Sequence, residues 1–311
     1  MAHVLVTSEY FGKFDTTARE MLINAGHIVI DNPYGHKFLS SEEIIPHAEK
    51  AEALICDLEK ITKEVIDAAP NLKIIARRGV GVDSIDCEYA KQKNIEVAIT
   101  QGVVEAPVAE LVMGYILHFS RKICIMNEDM HRNIWNKIMN NSVDKKVLGI
   151  VGMGKIAIEV ARRATSFGME ILYYDLHENP VAEADFGAKY SSLDELLESA
   201  DFVTIHTTLN KETKSLFNYN TISKMKKSAY LINTARGAIV DEVGLEKALK
   251  EHKIAGAAID VFEVEPKTDS VLANLDNVVL TPHTASFTKE TFIKMDIISA
   301  QNIIRYFKNK K

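Results

Sequence analysis

The sequence predicts an α/β protein made of two doubly wound parallel-sheet domains. Short β-rich runs alternate with helical patterns along most of the chain, the signature of a parallel sheet covered by helices on both faces. That alternation comes in two series of different size, separated by a long helical stretch. The length, 311 residues, also suits about two domains at roughly 150 residues each.

In the first series, strand-like runs at 4–7, 28–31, 53–56, 72–76 and 96–99 are interleaved with helical patterns at 16–25, 40–50, 62–69 and 85–93. The helix over 40–50 has Ser40 or Ser41 as its cap and acids in its first turn. A long helix begins near Pro107, a residue suited to a first helical turn, and runs through Leu111, Ile116 and Phe119 toward Ile125. A less regular stretch containing Trp135 follows. In the second series, strands are expected at 146–151, 170–175, 202–206, 230–233, 254–260 and 278–281, and helices at 156–167, 193–199 and 243–251. A final helix is expected over 288–307. The expected domains are 1–99 with 286–311, and 100–285 inserted between them.

Composition narrows the class. Hydrophobic residues at 47% and charged residues at 26% are ordinary for a soluble globular protein. A net charge of −6 argues against a broad nucleic-acid surface, so no nucleic-acid partner is expected. Lys308, Lys310 and Lys311 read as a solvated tail. The cysteines, Cys56, Cys87 and Cys124, are odd in number and far apart, which points to neither a disulfide framework nor a metal site. The longest apolar stretch, 108–119, is broken by Glu110 and His118, and the first residues lack the regions of a signal peptide. The expectation is a cytoplasmic protein with no membrane partner.

The strand ending at Val151 runs into Gly152-Met153-Gly154-Lys155-Ile156-Ala157 and then a helix, a G-x-G-x-x-A variant of the dinucleotide fingerprint. Gly152 permits the tight turn, Gly154 lets a pyrophosphate approach the backbone, and small Ala157 lets the helix pack on the sheet. The helix N-terminus, at Lys155 and Ile156, offers unpaired N–H groups to the anion. Asp175 ends the next strand, near the spacing of the acid that binds the adenosine ribose hydroxyls. Its charge would repel a 2′-phosphate, which favours NAD over NADP.

Beyond this fingerprint stand Gly79-Val80-Gly81-Val82-Asp83, Val108-Ala109-Glu110, His206-Thr207-Thr208-Leu209, Ile232-Asn233-Thr234-Ala235-Arg236-Gly237, Asp260-Val261-Phe262-Glu263-Val264-Glu265-Pro266 and Thr281-Pro282-His283. In order and spacing these resemble the D-isomer-specific 2-hydroxyacid dehydrogenase family, near its phosphoglycerate dehydrogenase and hydroxypyruvate/glyoxylate reductase branches. The resemblance implies a Rossmann nucleotide domain inserted into a smaller flavodoxin-like substrate domain, with substrate in the cleft between them and a likeness to dimeric enzymes, so a homodimer is expected. It matches Arg236, Glu265 and His283 to a catalytic triad. An arginine fork can hold the carboxylate of a 2-keto acid and polarise the neighbouring carbonyl. The alkoxide formed by hydride arrival needs a proton, which a histidine can supply near neutral pH. A glutamate can orient that histidine and favour its charged form.

By the same resemblance, backbone at Val80 and Gly81 meets the substrate carboxylate, Arg77 matches a substrate-phosphate contact, Thr207 and Ala235 line the cofactor, Asp260 faces the nicotinamide amide, and the region of Trp135 joins a dimer arm. The chain departs from the family at Thr208, where a proline is frequent, and at Val104, where an asparagine is. It also carries Asp57-Leu58-Glu59 where phosphoglycerate-type relatives have a second arginine. Two acids near the entrance would repel a phosphate. The expected reaction is therefore hydride transfer between NAD(H) and a small 2-keto or 2-hydroxy acid of the glyoxylate, hydroxypyruvate or pyruvate type. The alternatives are D-3-phosphoglycerate oxidation, oxidation of a formate- or phosphite-type donor, and, in another class, an NAD-sensing corepressor-like binding protein.

Overall fold

The computed structural model describes residues 1–35 and 37–309; Lys310 and Lys311, read above as part of a tail, lie outside them. The chain divides into two compact units, Met1–Val104 with Phe287–Lys311, and Glu105–Ser286. The first break falls after Val104 rather than after residue 99. The reason is local: Thr100 donates its amide to the Gly79 carbonyl and accepts the Gly79 amide on its hydroxyl, so the segment after the last strand stays tied to the first unit.

The first unit runs β1 (His3–Val6), α1 (Thr17–Asn24), β2 (Ile28–Ile30), α2 (Ser41–Ala48), β3 (Ala53–Cys56), α3 (Lys63–Asp67), β4 (Ile74–Arg77), α4 (Cys87–Gln92) and β5 (Glu96–Ile99). The sheet order is β2-β1-β3-β4-β5, all parallel. Ser40 caps α2 in a reciprocal box with Glu43, which satisfies two helix-end donors. Both faces of β3 and β4 are buried, which is why those strands are near-continuous apolar runs rather than alternating ones. Leu54 and Ile75 pack on one side with Ile44 and Val65. Ile55 and Ile74 pack on the other with Leu22 and Ile303.

The second unit runs α5 (Glu105–Arg121), α6 (Ile123–His131), β6 (Val147–Val151), α7 (Lys155–Ser166), β7 (Glu170–Tyr174), α8 (Pro180–Phe186), β8 (Lys189–Tyr190), α9 (Leu193–Ser199), β9 (Phe202–Ile205), α10 (Tyr219–Ile222), β10 (Tyr230–Asn233), α11 (Glu242–Lys250), β11 (Gly256–Ile259) and β12 (Val278–Leu280). The last helix, α12 (Lys289–Asn309), returns to the first unit, where Ala300, Ile303 and Tyr306 join Ala18 and Leu22 of α1 over one sheet face. The seven strands are parallel in the order β12-β11-β10-β9-β6-β7-β8. The chain enters at β6, winds outward to β8, then crosses back to β9. The reversal between β6 and β9 is the switch point at which ligands bind in open α/β sheets.

The helical pattern expected to run from Pro107 toward Ile125 is two helices. Lys122 adopts a left-handed conformation, φ 47°, between α5 and α6. The first is packed into the core through Val112, Tyr115, Ile116 and Phe119, whereas no residue of α6 is buried. The apolar spacing continues across the break, but the unit's own core does not. Two short helices, α8 and α10, and the two-residue strand β8 were not apparent in the sequence, being too short for a periodic signal.

Candidate active site

The glycine loop lies at the switch point. Gly152 has φ +92°, and a Cβ there would lie 2.6 Å from the Thr207 amide nitrogen. The turn after β6 and the segment after β9 can approach this closely only without a side chain. At Gly154 a Cβ would meet nothing within 4 Å, and α7 begins there with no side-chain cap. Lys155 and Ile156 form its first turn, and Ala157 is buried against the sheet. Asp175, just past β7, accepts the Met153 amide at 2.6 Å and the Leu176 amide at 2.6 Å, fixing the loop from the next strand. Asn179 donates to the Met153 carbonyl at 2.9 Å. At the end of β10 the Thr234 hydroxyl is buried with no hydrogen-bond partner among the described residues, beside Ala235. Open space at Gly154, an uncapped helix end and an acid behind the loop fit an NAD-type dinucleotide, its pyrophosphate at the helix end and its ribose toward Asp175.

Arg236, Glu265 and His283 come from the segments after β10, β11 and β12, and the fold gathers them. His283 Nδ1 lies 2.6 Å from Glu265 Oε2. A carboxylate oxygen accepts, so Nδ1 carries the hydrogen and Nε2 is left for a reacting group. Glu265 Oε1 accepts the Phe262 amide at 2.9 Å, which fixes the carboxylate from its other oxygen. Partial burial pushes the Glu265 carboxyl up, but the His283 hydrogen bond and charge, the Phe262 amide and the Arg236 charge together hold it below its ordinary value. Arg236 donates to the Ala235 carbonyl at 2.7 Å, and its own carbonyl accepts from Asn233 at 2.9 Å. The following residue must be glycine, because a Cβ on Gly237 would collide with the backbone of Phe262 and Glu263. That close approach sets the arginine loop against the turn that carries Glu265.

Asp260, expected to face the nicotinamide amide, directly follows β11. It is fully buried, and its carboxylate accepts the amides of Thr284 at 2.8 Å and Ala285 at 2.9 Å and the hydroxyl of Thr281 at 2.5 Å. Its present contacts organise the segment that carries His283.

In the first unit Val80 and Gly81 are part-buried in the loop after β4, next to Gly79 at φ +140°. Arg77 does not extend outward as a cation for a substrate phosphate. It is buried, with Nε donating to the Gly81 carbonyl at 3.0 Å and Nη1 to the Arg78 carbonyl, and its guanidinium fills the space that a Cβ on Gly79 would need. It braces the loop. Asp57 and Glu59 are likewise not entrance charges. Asp57 pairs with Arg78, and Glu59 is fully buried, accepting the Asp57 amide at 2.5 Å. Arg78 also donates to Asp296 of α12 at 2.6 Å. The sequence reading missed this buried Arg78–Asp57–Asp296 group, because its partners are distant in the chain and nothing local marks them.

The fold and the glycine loop define a nucleotide-binding oxidoreductase architecture. The model of the NAD-binding domain of D-isomer specific 2-hydroxyacid dehydrogenases matches residues 113–285. A glyoxylate reductase from Thermofilum pendens is 43% identical over 280 residues, covering 87% of this chain and 83% of that protein. A hydroxypyruvate reductase from Thermotoga maritima is 36% identical over 297 residues, covering 94% and 95%. The structure of a D-lactate dehydrogenase from Aquifex aeolicus, complexed with NAD and lactic acid, superposes with a TM-score of 0.86 at 28% identity, covering 99% of this chain and 96% of that one. The chain belongs to the D-isomer specific 2-hydroxyacid dehydrogenase family. It is an NAD-linked oxidoreductase.

Proposed function

We propose that this chain reduces small, unphosphorylated 2-keto acids such as glyoxylate, hydroxypyruvate or pyruvate to D-2-hydroxy acids. The observation that carries this reading is the 2.6 Å Glu265–His283 contact with the Arg236 charge beside it. Bound NADH would supply the hydride. Arg236 holds the substrate carboxylate and polarises the keto oxygen. His283 gives that oxygen a proton from Nε2 as the carbonyl carbon is reduced, while Glu265 keeps the ring in register through Nδ1. In the reverse direction the same nitrogen takes the hydroxyl proton. Gly152, Gly154, Lys155, Ile156, Asp175, Thr207 and Ala235 are assigned to the cofactor, with Asp260 near its nicotinamide end, and backbone at Val80 and Gly81 to the substrate carboxylate.

The preference for unphosphorylated acids is supported by Arg77 and Arg78, whose guanidinium groups are both engaged inside the first unit. The names of the glyoxylate and hydroxypyruvate reductases point the same way. We also assign the chain to the cytoplasm as a homodimer. No helix among the described residues is long and apolar enough to cross a membrane, and the cysteines are free. The apolar run on and after α6, exposed at Ile123, Ile125, Met130, Ile134, Trp135 and Met139, supports a partner of the same kind.

The test is NADH oxidation with a panel of 2-keto acids, including hydroxypyruvate and its phosphorylated form at one salt concentration. The unphosphorylated acid should have the higher kcat/KM; a clear preference for the phosphorylated compound would return the chain to the phosphoglycerate branch. His283→Ala should lose roughly 10²–10⁴-fold in kcat while still binding NADH. Parent-like turnover by the folded variant would remove His283 from the mechanism.

A further inference from the structure

We infer that Tyr115 is a positioning residue for His283, acting through the hydroxyl of Thr281 and the carboxylate of Asp260. The inference rests on the reading of His283 as the proton donor.

His283 is held in an unusual place. Its φ is +53°, a left-handed conformation uncommon for a non-glycine residue and costly without contacts that hold it. Glu265 orients the ring but leaves the main chain to be fixed by something else. Asp260, just after β11, does this from beneath. Its carbonyl accepts the His283 amide at 2.8 Å. Its Oδ1 accepts the Thr284 amide at 2.8 Å and its Oδ2 the Ala285 amide at 2.9 Å. One buried residue therefore pins the histidine's own amide and the two amides that follow.

Asp260 is itself tied to the core from the other side. Thr281 donates its hydroxyl to Asp260 Oδ1 at 2.5 Å, and Tyr115 Oη lies 2.5 Å from that same threonine oxygen. Because the threonine hydrogen is already given to the carboxylate, the threonine oxygen accepts and Tyr115 donates. The direction of the chain is thus fixed: Tyr115 O–H to Thr281 O–H to Asp260. Tyr115 comes from the middle of α5, is 3% exposed, and packs beside Val112, Ile116 and Phe119. Burial raises its phenol well above the ordinary tyrosine value, so the donor persists through the neutral range. A hydroxyl placed in such a core is costly unless it is bonded, and here it meets the Thr281 hydroxyl, which leads to the turn of His283. Hydrogen bonds in sequence polarise one another, so the chain holds Asp260 more firmly than an isolated threonine contact would. The apolar ring fills the core, while its oxygen couples the rigid α5 to the loop where a small displacement would be felt in proton transfer.

The experiment compares the full-length parent with Tyr115→Phe, Thr281→Val, Thr281→Ser, the Tyr115→Phe/Thr281→Val pair and His283→Ala. The readouts are kcat, KM for glyoxylate, NADH affinity and Tm. Tyr115→Phe should lower kcat about 3- to 10-fold, the scale of one hydrogen bond, with NADH affinity within about two-fold of the parent. Thr281→Val should lose at least as much, Thr281→Ser should recover most of it, and the pair should be no slower than Thr281→Val alone, because both changes break one chain. A hydroxyl that served only the core would lower Tm and leave kcat untouched. A parent-like kcat for Tyr115→Phe, or strictly additive losses in the pair, would overturn the role given to Tyr115. His283→Ala separates the two levels. An inactive His283 variant beside a fully active Tyr115 variant removes only this inference, whereas an active His283 variant removes the underlying site reading and this inference with it.

Discussion

In the proposed mechanism Arg236 acts through shape as well as charge. A planar guanidinium can bind a carboxylate through two parallel N–H donors, which an ammonium cannot reproduce. Arg236→Lys should therefore cost roughly 10- to 100-fold in kcat/KM, the scale of one charge-assisted hydrogen bond, while the protein stays folded. An unchanged kcat/KM in steady-state assays would show that another group holds the carboxylate. Asp175 poses a different residue-scale problem, because it both braces the glycine loop through Met153 and presents charge where a ribose would lie. The parent should prefer NADH to NADPH, and Asp175→Ala should narrow that ratio by roughly ten-fold, the size of one lost like-charge repulsion in a wet site. If the parent uses NADPH better, the assignment of this acid is wrong.

The loop between β3 and α3 shows how an element can hide charge that the sequence displays as polar. Glu59 is fully buried, and burial, helped by the Asp57 charge, pushes its carboxyl up to about 7, against an ordinary 4.5. Arg77 and the local amides oppose that rise only in part. A carboxyl raised in the folded state binds more protons there than in the unfolded chain, so its contribution favours folding at low pH and is lost as pH rises from about 4.5 through about 7. Glu59→Gln keeps an acceptor for the Asp57 amide without the titration. The variant should gain stability relative to the parent between pH 5 and pH 8, by on the order of 3 kcal/mol at most. Chemical denaturation at the two pH values measures it. A difference between variant and parent that does not change with pH would mean that Glu59 is as easily charged folded as unfolded.

For the whole molecule, the exposed run from Ile123 to Met139 is the feature that bears on assembly. Trp135 is 77% exposed and Met139 89% exposed, and large apolar side chains gathered on one surface segment mark an interaction site more often than plain surface. In the proposed homodimer this segment faces the partner. Replacing Ile125 and Trp135 together by Glu should shift sedimentation toward the monomer while leaving far-UV circular dichroism unchanged. If the parent already sediments as a monomer, the proposed dimer is wrong.

Much of this protein is legible from the chain alone, because the signals are local. The strands Ala53–Cys56 and Val147–Val151 are short apolar runs, Ser40 or Ser41 followed by acids marks a helix start, and Gly152 and Gly154 stand between a strand and a helix. Two parallel sheets follow from that alternation, since a parallel strand needs a crossover and a helix supplies it. Arg236, Glu265 and His283 are also visible in sequence, as residues of separate motifs. What required the tertiary structure is the set of contacts between distant segments. Only packing shows that Arg77 turns under its own loop, that Arg78 joins Asp57 to Asp296, that Glu59 is buried, and that Tyr115 reaches Thr281. The physical reason is that periodicity and turn chemistry report a residue's neighbours along the chain, whereas the burial and pairing of a polar group depend on which remote surface closes over it.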